Sequence, residues 1–147
     1  MIRHFHPAIA AILLGCAGPG ATAGIEHYQG SLAELELPFS EAVIVGDLVF
    51  LSGQIGNRPG TLELAEGGIE GETRQMMANI GATLDALGLD FSNIVKCTVM
   101  LDEMAEWGAF NAIYREYFTA PYPARSALGA DGLALGARVE MECIAAR

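Results

Sequence analysis

Positive charge is what this chain has least of. Its 147 residues include 8 lysines and arginines against 18 aspartates and glutamates, a formal net charge of −10. No basic patch is available to neutralise phosphates, which argues against nucleic acid as a partner. The same balance disfavours an anionic membrane surface. Histidine is scarce: His4, His6 and His27 are the three in the sequence. Two of them sit at the extreme N-terminus, which argues against a histidine-based triad. The three cysteines, Cys16, Cys97 and Cys143, form no Cys-x-x-Cys pair and no His/Cys cluster, so no metal site is expected. The N-terminal apolar stretch, residues 8–15, is far short of the roughly 20 residues that span a bilayer. What the chain does have is apolar mass. Hydrophobic residues make up 52%, which excludes a disordered chain, and the length suits one domain with its own core.

The N-terminus reads separately. Arg3, His4 and His6 precede the apolar stretch, and Ala21-Thr22-Ala23 follows it. Charged, apolar and small-residue segments in that order predict a secretory signal peptide over 1–23, ahead of a single domain over 24–147. Export to the periplasm or the medium follows. A cut after Ala23 removes Arg3 as the one charged residue, leaving 7 basic against 18 acidic, a net −11. Leu13-Leu14-Gly15-Cys16 offers the alternative of a lipoprotein site. Lipidation of Cys16 is the one route by which a membrane becomes a partner. Cys97 and Cys143 fall in apolar, strand-like runs and read first as buried thiols packing as small hydrophobes. Should their strands be neighbours in an oxidising compartment, they can pair.

Along the domain, residues 24–37 mix polar and apolar types and read as a loosely held arm. Residues 42–45 and 48–52 are β-rich and are separated by Gly46-Asp47, the spacing of a tight hairpin. Ile69, Thr73, Met76, Met77, Ile80, Leu84 and Leu87 recur at three- and four-residue intervals, predicting a helix over 69–87 that Gly88 caps. Residues 94–101 alternate as a strand. Asp102 is the expected N-cap of a second helix, whose Met104, Trp107, Phe110, Tyr114, Tyr117 and Phe118 share an apolar face read as core packing. Pro121 and Pro123 end it. Strands over 124–130 and 137–145 complete a β-β-α-β-α-β-β order. That order gives an α+β domain with both helices on one face of an antiparallel or mixed sheet. The other face carries many apolar residues and calls for burial against further copies of the chain.

The chemistry concentrates near the C-terminus. Pro123-Ala124-Arg125-Ser126-Ala127-Leu128 places one arginine at the start of an apolar strand, and Val139-Glu140-Met141-Glu142 alternates glutamates with apolar residues. A guanidinium is costly to bury unpaired, and its planar fork matches a carboxylate bidentately. Arg125 therefore points to a pocket for a small organic acid. Glu140, alternating outward from Val139 and Met141, is placed to handle a proton or a water. The competing reading pairs Arg125 structurally with Glu140 or Glu142.

These residues resemble the Rid (reactive intermediate deaminase, YjgF-type) family. The resemblance runs over about 38–145. It is carried by Val49-Phe50-Leu51-Ser52-Gly53-Gln54-Ile55, by Asn79-Ile80 and Leu84, by Ile94-Val95-Lys96-Cys97-Thr98-Val99, by Phe110-Asn111-Ala112-Ile113-Tyr114, and most specifically by Pro-Ala-Arg-Ser with the Glu-x-Glu pair. It implies a chorismate-mutase-like fold, a homotrimer with clefts between subunits, and hydrolysis of 2-imino acids and their enamine tautomers to 2-oxo acids and ammonia, without metal or cofactor. Arg125 would hold the substrate carboxylate and Glu140 the attacking water. Ser52, Gly53, Phe39 and Asn111 would line the pocket. The alternative is a trimer that binds small carboxylic acids without turning them over. Three departures stand out: Phe39 where members often have tyrosine, Ala127 where they often have cysteine, and Gly129 within a glycine-rich connection to Glu140. They imply a bulkier or more apolar substrate than the family's simplest ones.

Overall fold

The computed structural model describes residues 24–147. The expected signal peptide and the alternative lipidation site at Cys16 lie outside the described residues. The described residues form strands β1 (Ile25–Tyr28), β2 (Ala42–Val45), β3 (Leu48–Ile55), β4 (Ile94–Leu101), β5 (Ala124–Gly129) and β6 (Val139–Ala146), with helices α1 (Gly68–Ala86) and α2 (Trp107–Tyr117). The strands make one sheet in the order β1-β2-β3-β6-β4-β5. Its neighbours are antiparallel except β4 and β5, which run parallel. The α+β class and the mixed sheet agree with the sequence reading.

Alternation within the strands fixes the two faces. Along β6, Val139, Met141, Cys143 and Ala145 are buried, while Glu140, Glu142, Ile144 and Ala146 turn the other way. Ile69, Met76, Met77, Ile80 and Leu84 of α1 and Phe110 and Tyr114 of α2 are buried in one cluster with that inner face. Each such side chain contributes about 1.5–3 kcal/mol on burial. Helix α1 ends as its sequence predicts. Gly88 takes φ 72°, its N–H reaches Asp85 O at 2.9 Å, and Leu89 N reaches Leu84 O at 2.9 Å. This Schellman closure is one a β-carbon at 88 would strain.

On the open face, Val43 stands opposite Phe50, Val45 opposite Leu48, and Phe50 opposite Ile144. Leu48 and Phe50 are each 42% exposed, so this apolar surface is large enough to call for a cover.

Three expectations need correction. Residues 24–37 are not a loose arm: β1 pairs with β2, Ile25 opposite Val45, and a 3-10 turn follows over Gly30–Leu35. A four-residue edge strand containing Glu26 and His27 carries too little alternation to show in the sequence. Asp102 does not cap α2. A 3-10 turn over Met104–Glu106 intervenes, and Glu106 is the cap residue, with no side-chain bond. Cys97 and Cys143 are not free thiols. They face each other across β4 and β6 with Cα atoms 4.1 Å apart and are joined as a disulfide. So close a pairing is that of a non-hydrogen-bonded antiparallel site, a matter of register that composition cannot reveal.

Candidate functional site

The arginine half of the site is built by β5 and α2. Arg125 stands opposite Cys97 across the β4–β5 ladder. It therefore shares the face on which Cys97 is buried, the helix-covered one. Phe110, Asn111 and Tyr114 lie three, four and seven residues after Trp107 along α2, a single stripe. The Arg125 guanidinium carbon lies 4.7 Å from the Trp107 ring centre, 5.8 Å from Phe110 and 4.4 Å from Tyr114. Rings at those distances hold a cation by its positive charge without consuming its hydrogen bonds. Among the described residues Arg125 has no ion-pair partner. Among the described residues, its Nη1 and the Tyr114 hydroxyl are buried without a hydrogen-bond partner. Burial holds the Tyr114 hydroxyl above its usual pKa, the Arg125 charge acting against it. Asn111, Tyr122 and Pro123 join Arg125 around a cavity of about 480 Å³. The structural ion pair with Glu140 or Glu142 is thus not formed.

The glutamate half is built by β3 and β6 on the opposite face. Leu51 pairs with Cys143 but Gln54 with Met141, so one extra residue bulges from β3 at Ser52-Gly53. The bulge lies beside Glu140, whose carboxylate rests against Gly53 so closely that a β-carbon there would overlap it. Ser52 donates its hydroxyl to Ser40 O at 2.6 Å and its N–H to Glu41 O at 2.9 Å, which fastens the approach to β2. From α1, Asn79 donates to Ile55 O at 3.1 Å and to Asn57 O at 2.9 Å, and Asn57 donates to Thr61 O at 2.9 Å. That chain of bonds fixes the loop after β3. The resulting cavity, about 440 Å³, is walled by Leu37, Phe39, Ile55, Leu62 and Leu135, with Glu140 among them. Burial raises the Glu140 pKa above the ordinary carboxylate range, and the nearby Glu142 carboxylate raises it further. A carboxyl whose pKa is raised in this way is a stronger base than a free one and is suited to taking and returning a proton.

The expected site residues therefore separate within one chain. Phe39, Ser52, Gly53 and Glu140 share one cavity, and Arg125 and Asn111 share another. Ala127 lines neither.

Comparison with known proteins bears on this arrangement. The model of the Endoribonuclease L-PSP family matches residues 32–147. A goat (Capra hircus) protein named 2-iminobutanoate/2-iminopropanoate deaminase is 43% identical over 108 residues, covering 74% of this chain and 79% of its own. The Arabidopsis thaliana protein Reactive Intermediate Deaminase A, chloroplastic, is 44% identical over 74% of this chain and 58% of its own. A crystal structure from Yersinia pestis, described as the Rid-family protein YyfA, superposes with a TM-score of 0.78 at 34% identity, over 84% of this chain and all (100%) of that one.

The chain belongs to the Rid (L-PSP) family. As a Rid-family chain it carries both halves of the expected constellation, on opposite faces of one sheet. The sequence pattern alone marks Trp107, Phe110 and Tyr114 as core. They are core and also the bed of Arg125. Their spacing on one stripe with Asn111 was the available signal. The apolar walls Leu62 and Leu135 lie outside the periodic elements, Leu62 in the loop after β3 and Leu135 in the short turn before β6, where alternation gives no sign of which side chains meet.

Proposed function

We propose that the chain hydrolyses 2-imino acids and their enamine tautomers to 2-oxo acids and ammonia. Arg125 carries the reading: a guanidinium on an aromatic bed with no carboxylate partner among the described residues. Such a group is stable enough to persist and free to take a ligand carboxylate in a bidentate grip. Glu140, with its raised pKa, takes a proton from water as the water oxygen adds to the imine carbon. The imine nitrogen gains a proton from solvent, giving an amino group on the tetrahedral adduct. Glu140 then passes its proton to that nitrogen, the carbon–nitrogen bond breaks, and ammonia leaves as the adduct's hydroxyl gives its proton back to solvent and becomes the carbonyl. The relatives named as deaminases support this reaction class.

Arg125 and Glu140 lie on different faces, so one chain alone does not bring them to one substrate. The reading therefore assembles the site between copies, the Arg125 face of one against the Glu140 face of the next. Such a contact is head-to-tail, and it closes into a ring where the rotation between copies divides a full turn. Three copies, as the family resemblance implies, would also cover the apolar open face around Phe50. A net charge of −10 disfavours the endoribonuclease activity that the family description names, because nucleic-acid affinity comes from neutralising phosphates. Export belongs to the same proposal and is supported by the Cys97–Cys143 disulfide, which persists in oxidising compartments.

The test generates imines with an amino-acid oxidase and captures the survivors with semicarbazide. Wild type suppresses capture and Arg125→Ala does not. Unchanged capture with wild type, together with saturable binding of 2-oxo acids, would mean a binder and not an enzyme.

A further inference from the structure

We propose that Leu135 selects the substrate: with Phe39 and Leu62 it makes the Glu140 cavity a receptor for 2-imino acids bearing large apolar side chains. The inference rests on the deaminase reading and adds to it the substrate class. Three large apolar residues left exposed on this chain converge on one place. Phe39 is 45%, Leu62 47% and Leu135 54% exposed. They come from the segment before β2, the loop after β3 and the connection between β5 and β6, yet all line the Glu140 cavity. Leu37 and Ile55 continue the wall. Two of the polar groups there are already engaged, the Ser52 hydroxyl with Ser40 O and the Asn57 amide with Thr61 O.

Leu135 carries the most information. Its backbone sits at φ 58° and ψ 13°, the left-handed region that glycine or asparagine enters readily and leucine does not. Gly136 beside it also has a positive φ, 75°. The turn itself therefore gives no reason for a leucine. The cavity does, because this conformation presents an isobutyl group to solvent at the mouth of the Glu140 pocket. Backbone strain held at a pocket rim is a feature of functional sites.

Volume agrees. At roughly 30 Å³ per heavy atom, the share of a liquid water, a six-atom imine of the propanoate type occupies roughly 180 Å³, less than half of the 440 Å³ cavity. An isobutyl or benzyl side chain would use the remainder and desolvate the apolar wall. With the reacting carbon near Glu140, that side chain falls against Leu135, Leu62 and Phe39.

The experiment compares the full chain with Leu135→Asn, a residue that tolerates the same backbone. The readouts are kcat/KM for 2-imino-4-methylpentanoate and for 2-iminopropanoate, and calorimetric affinity for the matching 2-oxo acids. Wild type is expected to favour the larger imine. In the variant the ratio of the two kcat/KM values falls roughly 10-fold or more, and the affinity ratio falls with it. Equal losses on both substrates, or a wild type indifferent to size, would overturn the proposal. If no imine is consumed, the deaminase reading fails while the affinity ratio still decides the pocket's preference. Melting of the Asn variant at the wild-type temperature shows that the comparison is made on folded protein, and Leu135→Gly, which has no side chain to place, should shift both ratios in the same direction.

Discussion

The carboxylate of Glu140 lies against the backbone of Gly53, with no room between them for a β-carbon. The overlapping atoms belong to the end of a flexible side chain, so a methyl group at 53 would displace the carboxylate and leave the sheet in place. Gly53→Ala should therefore melt close to wild type and lose roughly 100-fold in kcat, the scale of a misplaced catalytic group. Thermal melting beside imine-trapping rates checks both halves. A variant of full activity would detach the bulge from the chemistry.

Glu140 also predicts a pH effect of definite sign. Burial, then Glu142, raises its folded-state pKa. Below the ordinary carboxylate pKa both folded and unfolded chains hold the proton, and its stabilising contribution is fully present. As pH rises through the raised value, the unfolded chain gives up the proton more readily and that contribution is lost. Glu140→Gln has no such proton. It should melt roughly 1–3 °C above wild type at pH 7, with the gap closing as pH falls toward 4. It should also lose roughly 10²–10⁴ in rate. Melting curves from pH 4 to 8 would show the trend, and a gap that widens toward acid would contradict it.

Arg125 separates a ligand-binding cation from a structural one. Removing one partner of a buried ion pair costs about 3–5 kcal/mol. Arg125 has no such partner among the described residues, its cation being held by the Trp107, Phe110 and Tyr114 rings. Arg125→Met should fill the same bed and change unfolding free energy by less than about 1.5 kcal/mol, while abolishing 2-oxo-acid binding. Arg125→Lys, with a point charge in place of a planar fork, should restore that binding only in part. A large loss of stability in Arg125→Met would reinstate a structural role.

The parts of the fold that were legible in the sequence depend on local period. Helix α1 shows in Ile69, Met76, Ile80 and Leu84, its end in Gly88, and the β2–β3 hairpin in Gly46-Asp47. What was not legible depends on register between strands. Alternation shows that Glu140 opposes Val139 and Met141 but not which face Arg125 takes. That follows only from Arg125 standing opposite Cys97. The same missing register hid the disulfide. The aromatic stripe of α2 misled differently: packing and cation binding require the same residues, so its pattern reports the first and is silent on the second.

The disulfide makes the last prediction. Cys97 and Cys143 are separated by 46 residues, and the loop they close contains α2, β5 and the start of β6. Cross-linking a loop of this length restricts the unfolded chain by about 4 kcal/mol in the entropic account. The bond also ties β4 to β6, the strands that place Arg125's neighbour and Glu140. Cys97→Ala with Cys143→Ala should therefore lower the melting temperature by about 10–15 °C. Cys97 is 1% and Cys143 3% exposed, so reductant should act slowly on the folded protein and quickly once denaturant opens it. Alkylation without reductant, even after unfolding, should leave both residues unlabelled. Two labelled cysteines in protein taken directly from its native compartment, or a double variant as stable as wild type, would remove the cross-strand bond from the account of this fold.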